Sequence, residues 1–430
     1  MKPELIKPLP VNPETPPAAR SRRRFSARGT FAALQYRNYR LWFFGQMLSL
    51  VGTWMQATAQ GYLVFELTKS PLYLGYIGFA AGVPSWLFML YGGLIADRIP
   101  RRTMLLVTQA AMMMLAVILA ALTFSGLIQA WQIVIMAFLL GVANAFDAPA
   151  RLAFTPDLVE ARKDLTNAIA LNATMFNTAT AVGPAIGGLT YAAVGPGWCF
   201  TLNAISFLPV IVALLLMKIP SIRSLDRPRG TAIKEIRAGF RYVSSQTIVR
   251  TIMLFVMLVS LFGLGFVPLM PAWAVNVLGG DAATNGYLQS ARGIGALLGA
   301  LMLAMCSGQV PRGRLITIGG FVFPGLLLFF ALTNIVPISL LLLVGIGWGF
   351  MIFINSSNAL IQSLVPDELR GRVMSIYTLT FFGFMPLGAL LAGSLAERIG
   401  SPATVLLGAV IVLICAGVVY LRVPALRRSE

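Results

Sequence analysis

The sequence predicts an all-α membrane protein with twelve transmembrane helices in two pseudo-symmetric six-helix bundles. Three observations predict it. The 430 residues are 57% hydrophobic and only 11% charged, far from the composition of a soluble globule. The apolar residues fall in long continuous runs near 41–65, 72–96, 103–124, 131–150, 165–194, 198–217, 251–277, 286–306, 314–333, 337–361, 373–396 and 402–421. Each run is long enough to cross a hydrocarbon core of about 30 Å as a helix. Finally, the two halves repeat one another. Ile99-Pro100-Arg101 returns as Val310-Pro311-Arg312, and Asn144-x-x-Asp147-Ala148 returns as Asn355-x-x-Asn358-Ala359, both 211 residues on. Pro156-Asp157 returns as Pro366-Asp367 after 210 residues.

The runs must be helices, because every backbone polar group at membrane depth needs an internal partner. A membrane barrel would instead show alternating segments of about ten residues. Lys and Arg set the orientation. Thirty of the 33 lie before the first run, after the last, or in alternate gaps; only Lys69 and Arg398 occupy the other gaps, and Arg292 lies inside a run. Cytoplasmic loops are rich in Lys and Arg, so both termini and the 218–250 loop are expected in the cytosol of a bacterium, with the protein in its inner membrane.

This gives a basic, Pro-rich tail at 1–40, expected to be disordered against the inner leaflet. A first six-helix bundle follows over 41–217, a linker over 218–250, a second bundle over 251–421 and a short tail over 422–430. Thr231–Tyr242 in the linker reads as an amphipathic surface helix. No cleavable signal peptide is expected, because about 40 mostly polar residues precede the first long run.

Several function classes drop out. The net charge of +18 sits at span ends, where insertion and anionic lipid explain it without nucleic acid. Cys199, Cys306 and Cys415 are scattered through apolar runs, with no disulfide or CxxC pattern. The chain has no histidine, no carboxylate cluster and no GxxxxGK[ST] loop, so it offers neither a metal site nor the usual acid–base or ATP-hydrolysing machinery. No cofactor and no enzyme activity are expected.

After the second run the chain reads Gly93-Leu94-Ile95-Ala96-Asp97-Arg98-Ile99-Pro100-Arg101-Arg102. This resembles GxLADRxGRR, the signature loop of the major facilitator superfamily, with Pro100 where glycine is usual. The resemblance implies two six-helix bundles that rock around a central cavity. It also implies a cytosolic latch built from Gly93, Asp97, Arg98, Arg101 and Arg102. The second-half copy, Gly308 to Arg312, lacks the acid. Gly183-Pro184-Ala185-Ile186-Gly187-Gly188 resembles the core of the antiporter motif of that superfamily. Its physical content is close helix approach and a proline bend, with tight packing as the other reading. Gly45-Gln46, Gly52-Thr53-Trp54-Met55, Leu67 to Pro71 and Ala145 to Arg151 resemble the branch of enterobactin exporters and macrolide efflux proteins.

Gln46, Ser49, Thr53, Gln56 and Gln60 occupy an arc of about 80° on the first span, at 100° per residue. They either line a wet cavity or make interhelical hydrogen bonds. Trp348, Asn355, Asn358 and Gln362 repeat the pattern on the tenth span, and Asn144 lies on the fourth. The resemblance implies that the first, fourth, seventh and tenth spans line the cavity. On the seventh, Phe255, Phe262, Phe266 and Trp273 fall within roughly 40° of one line. Amides with aromatics would suit a small amphipathic organic substrate, and the alternative is packing.

Three ionisable groups lie at membrane depth and are candidates for proton coupling: Glu66, Asp147 and Arg292. Glu66 is near the outer end of its span. Asp147 lies roughly 24 Å from its outer end at ~1.5 Å per residue, one turn before Arg151. The repeat replaces that pair by Asn358 and Gln362, so both charges vanish together. A structural ion pair and a proton carrier both stay open. Arg292 is roughly 9 Å below the outer surface by the same rise, and Ala81 takes its place in the first half. Together with these residues, the resemblance implies a monomeric secondary transporter in the bilayer, exporting a small molecule by proton antiport. The alternatives are proton-coupled uptake on the same fold and, well behind it, a membrane-embedded enzyme.

Overall fold

The computed structural model describes residues 31–96, 99–217, 232–305 and 310–428. Six long helices come first: α1 Arg37–Thr68, α2 Pro71–Ala96, α3 Arg101–Phe124, α4 Ala130–Phe154, α5 Leu165–Val194 and α6 Pro196–Leu216. Seven follow: α7 Ala232–Ser245, α8 Thr247–Leu258, α9 Ala282–Met305, α10 Arg312–Leu332, α11 Val336–Leu364, α12 Asp367–Ile399 and α13 Ser401–Arg422. No strand occurs among the described residues. The turns between helices are short and use backbone that glycine tolerates. Gly195 (φ 88°) ends α5 and starts α6, and Gly400 (φ 83°) ends α12 and starts α13. A side chain is strained in that region.

Among the described residues, eight helices are long and apolar enough to cross a membrane: α3, α4, α6 and α9 to α13. A ninth is gained if α7 and α8, bent by 105° at their junction, count as one. The sequence expectation of twelve spans is therefore finer than what the described helices show, which is eight or nine apolar spans. The physical reason is plain in α1, which has 32 residues but buries Gln46, Ser49, Gln56, Thr58 and Gln60. Its polar groups are covered by protein, so it need not be apolar all round.

The seventh run is the clearest correction. It is not one helix over 251–277. α8 passes into a π-turn at Val259–Gly263, then irregular turns, one helical turn at Met270–Ala272, and a second π-turn at Trp273–Val277. Pro268 and Pro271 lack the N–H that an α-helix needs. A helix is present where one was expected at Thr231–Tyr242, as α7, and the next helix begins at Thr247.

Packing repeats along the chain. α2 packs on α4 as α9 packs on α11; α3 packs on α4 and α6 as α10 packs on α11 and α13. The helices before residue 217 meet those after 232 chiefly through α5 with α9 and α2 with α12. Small residues allow this. A Cβ on Gly188 would lie 2.5 Å from the Ala282 carbonyl oxygen, and one on Gly75 would lie 2.9 Å from that of Ala389.

Candidate transport site

Two polar constellations lie inside the helices. The first is centred on Asp147 of α4, which is 1% exposed. The Thr108 hydroxyl donates to its Oδ1 at 2.8 Å and the Gln109 amide at 3.0 Å, both from α3. Arg151 Nε lies 3.4 Å from Oδ2, one turn along the same helix. Ser49 of α1 donates to Gln109 Oε1 at 3.3 Å. A buried carboxylate thus has three donors, the arrangement that makes a charge tolerable in a low-dielectric interior. The ion pair along α4 is present, as the i, i+4 spacing suggests.

The rest of the α1 stripe is spent in the same way. Asn203 of α6 donates to Gln56 Oε1 at 2.7 Å, and Gln60 donates to the Ile133 carbonyl of α4 at 3.1 Å. Thr53 returns to the Ser49 carbonyl. Of the two readings of the stripe, interhelical bonding is the one the geometry supports. Gln46 Oε1 alone in the stripe is buried without a partner among the described residues.

For the aromatic stripe, the packed alternative is the one the geometry favours. Phe255, Phe266 and Trp273 are 2%, 3% and 0% exposed. Trp273 stacks on Phe330 with ring centroids 4.5 Å apart, Phe266 meets the same ring at 6.3 Å, and Phe255 meets Phe353 at 4.7 Å. Phe262 packs its backbone on Gly408 of α13. Phe255, Phe266 and Trp273 are core, and Phe262 is partly buried against it. The expected alignment fails because the segment carrying them is broken, so its side chains do not follow one helical period.

On α11, Trp348 is partly buried at the crossing with α9, and Asn355 is exposed, its amide near Met351 Sδ at 3.1 Å. Gln362 donates to Asn358 on its own helix, and Asn144 of α4 donates to the Leu140 carbonyl. None of these side-chain hydrogen bonds reaches another helix. Glu66 is exposed at the end of α1 and accepts from the Tyr191 hydroxyl of α5. The aromatic ring of Tyr62 meets Tyr191 edge-on at 5.0 Å.

The second constellation lies on α9. Asn285 is fully buried, and Gln289 donates to its Oδ1 at 3.3 Å. Arg292 follows one turn later, with its Nε buried and unpartnered. Arg292 alone of the three is singled out in the sequence, although Asn285, Gln289 and Arg292 share an i, i+4, i+7 spacing. Sequence reasoning also misses Thr108, Gln109 and Asn203, single polar residues in apolar runs whose facing partners no local pattern reveals.

Of the latch residues, Asp97 and Arg98 lie outside the described residues, and Gly93 is in the last turns of α2. Arg101 donates to Asp157 and to the Ala153 carbonyl, and Arg102 to the Leu214 and Leu215 carbonyls at the end of α6. Both bond within the first six helices. Gly183 and Gly187 face α1, where a Cβ would lie 2.9 Å from the Val51 oxygen and 2.8 Å from that of Met55. Gly188 and Pro184 face α9. The motif is a seam on both sides of α5.

Comparison with known proteins agrees with this architecture. Residues 28–430 match the family model described as transmembrane secretion effector. The staphyloferrin A transporter of Staphylococcus aureus is 27% identical over 83% of this chain and 89% of its own length. The enterobactin exporter EntS of Escherichia coli is 27% identical over 83% and 85%. The multidrug efflux pump Tap of Mycolicibacterium fortuitum is 27% identical over 90% and 96%. In fold, the chain resembles an inward-facing bacterial homolog of the lysosomal transporter Spinster, with TM-score 0.65 and 15% identity over 92% of this chain and 97% of that one. The nucleoside transporter NupG gives 0.69 at 14% identity, over 92% and 100%. The chain belongs to the transmembrane secretion effector family of the major facilitator superfamily, and is thus a multi-pass membrane transporter and not an enzyme.

Proposed function

We propose that this protein exports a small amphipathic organic molecule across a bacterial inner membrane by alternating access, driven by proton antiport. It would do so as a monomer of twelve spans in two six-helix bundles, with both termini in the cytosol. The observation that carries the reading is the placement of the contacts between the bundles. Gly188 with Gly286, Gly75 with Gly393, Gly82 with Pro386, and Ser70 with Glu397 at 2.7 Å all lie towards the end bearing few basic residues. A seam of small residues closed at that end leaves the other end to open towards the cytosol, which is half of an alternating-access cycle. The names of the relatives, two siderophore transporters and a drug pump, support a small organic substrate.

Asp147 and Glu66 are the two carboxylates able to couple protons. Asp147 is buried on a helix within the first bundle, and Glu66 is already exposed and joined to Tyr191. Arg292 would assist by charge. The latch role of Asp97, Arg98, Arg101 and Arg102 belongs to the state closed at the cytosolic end. Inside-out vesicles with an imposed pH gradient test the direction. Acid-inside vesicles should accumulate substrate and lose it when the gradient is collapsed. Accumulation only with the gradient reversed would establish uptake by symport instead.

A further inference from the structure

We propose that the inner face of α9, formed by Asn285, Gln289 and Arg292, binds an anionic group, a carboxylate or its like, on the transported solute. α9 has four faces. Gly286 and Gly293 lie against α5, where a Cβ on either would be 2.5 Å from a carbonyl oxygen, of Pro184 and Thr180 respectively. Gly295 and Gly299 lie against Val344 and Trp348 of α11. Tyr287, Ile294, Leu298 and Leu301 are 42–48% exposed and form the lipid-facing stripe. Asn285, Gln289 and Arg292 make the fourth face, roughly opposite that stripe at about 100° per residue. It looks inward, where α9 also touches α1 and the Met270–Ala272 turn.

The chemistry of that face is one-sided. Asn285 is 0% exposed, and its Nδ2 has no partner. Gln289 holds its Oδ1, which fixes the amide with its N–H groups free. Arg292 Nε is likewise buried without an acceptor, and among the described residues no carboxylate lies within ion-pair distance of this guanidinium. A helical arginine leans back towards the N-terminal turn, here towards Gln289 and Asn285. The guanidinium cannot shed its proton, so neutralisation is closed to it. A permanent cation and a free amide at membrane depth call for an acceptor that carries negative charge. The contrast with Arg151 is instructive, since that arginine has Asp147 beside it.

The test uses the full chain in nanodiscs and matched acid–amide pairs: 2-naphthoate and 2-naphthamide, salicylate and salicylamide, hexanoate and hexanamide. Thermal shift is measured for the wild type, Arg292→Gln, Arg292→Lys and Asn285→Ala. At least one acid should raise the wild-type Tm where its amide does not, with affinity at least tenfold weaker in Arg292→Gln. Arg292→Lys should keep part of the response, since it keeps the charge and loses the planar fork. If Arg292→Gln does not fold, a weakened acid response in Asn285→Ala carries the same expectation. Equal shifts by acid and amide, an undiminished response in the variants, or no acid response in the wild type would each overturn the proposal. So would an Arg292-dependent shift produced by chloride alone or by replacing phosphatidylcholine with phosphatidylglycerol, which would identify an inorganic counter-ion or a lipid headgroup. The proposal rests on the transport reading only in calling the anion a transported solute. Binding is measured without a gradient, so acids that bind through Arg292 but do not cross the membrane would sink the transport reading and leave the site.

Discussion

The helices before residue 217 and those after 232 treat their buried polar groups differently. In the first set, Ser49, Gln56, Gln60, Thr108, Gln109, Asp147 and Asn203 are all bonded to one another or to backbone. Among the described residues, only Trp42 Nε1, Gln46 Oε1 and Trp86 Nε1 are buried there without a partner. In the second set, Ser260, Trp273, Asn285, Ser290, Arg292, Ser339, Ser356, Ser357 and Arg427 all leave such an atom. One half is locked from within by a closed network. The other has an aromatic core and a face with donors to spare. In a low-dielectric interior a closed network rigidifies, while open donors invite a ligand or water. Among the described residues, the two sets of helices thus differ in how fully their buried polar groups are satisfied.

The largest test of that comparison is the carboxylate at the centre of the closed network. Asp147→Ala should cost about 3–5 kcal/mol, the scale of breaking a buried charge pair, and should lower Tm and membrane level sharply. Asp147→Asn with Arg151→Gln copies the second-half residues and should recover much of the stability. If the double variant is stable but no longer moves substrate with a pH gradient, Asp147 is the proton carrier. If it still transports, coupling shifts to Glu66. Arg292→Gln should lose far less stability than Asp147→Ala, since it removes a charge that has no partner. Equal losses in thermal denaturation would break the contrast between the halves.

Next come the seams. Gly188→Val places side-chain atoms where a Cβ alone would already sit 2.5 Å from the Ala282 oxygen. Overpacking of this kind costs about 1–3 kcal/mol, and here it falls on one conformational state. Efflux should drop at least tenfold, and cysteine accessibility should show the end bearing the 69–70 turn opened. Unchanged accessibility would show that the seam is not where the bundles part.

The smallest effects are at the surface. Thr284 N–H donates to Asp281 Oδ1 at 2.9 Å, capping α9. That bond holds the Asp281 carboxyl below the usual carboxylate range. Its folded value is depressed, so the cap contributes fully above the unfolded value and is lost as pH falls through the folded one. Asp281→Ala should cost about 1 kcal/mol near neutral pH and nothing measurable at strongly acid pH. Denaturation followed at both pH values checks this. Arg101→Ala, which loses a partly exposed pair with Asp157, should cost at most about 1 kcal/mol. A much larger loss would mean that the loop does more in this state than tie α3 to its own half.

By itself the sequence determined the environment, the helical class and the family. Continuous apolar runs admit only helices in a bilayer, and the asymmetry of Lys and Arg predicts, without any three-dimensional information, which ends face the cytosol. It also showed the Asp147–Arg151 pair, because i, i+4 neighbours on a helix meet whatever surrounds them. Tertiary structure decided what the polar stripe does, since Gln56 finds Asn203 147 residues away and no local period encodes that distance. It decided that Phe255, Phe266 and Trp273 are core, because the prolines and π-turns of the seventh segment break the period on which the stripe was drawn. It also decided that Arg292 stands apart from every described carboxylate, for whether a buried charge is paired depends on which helices fold beside it.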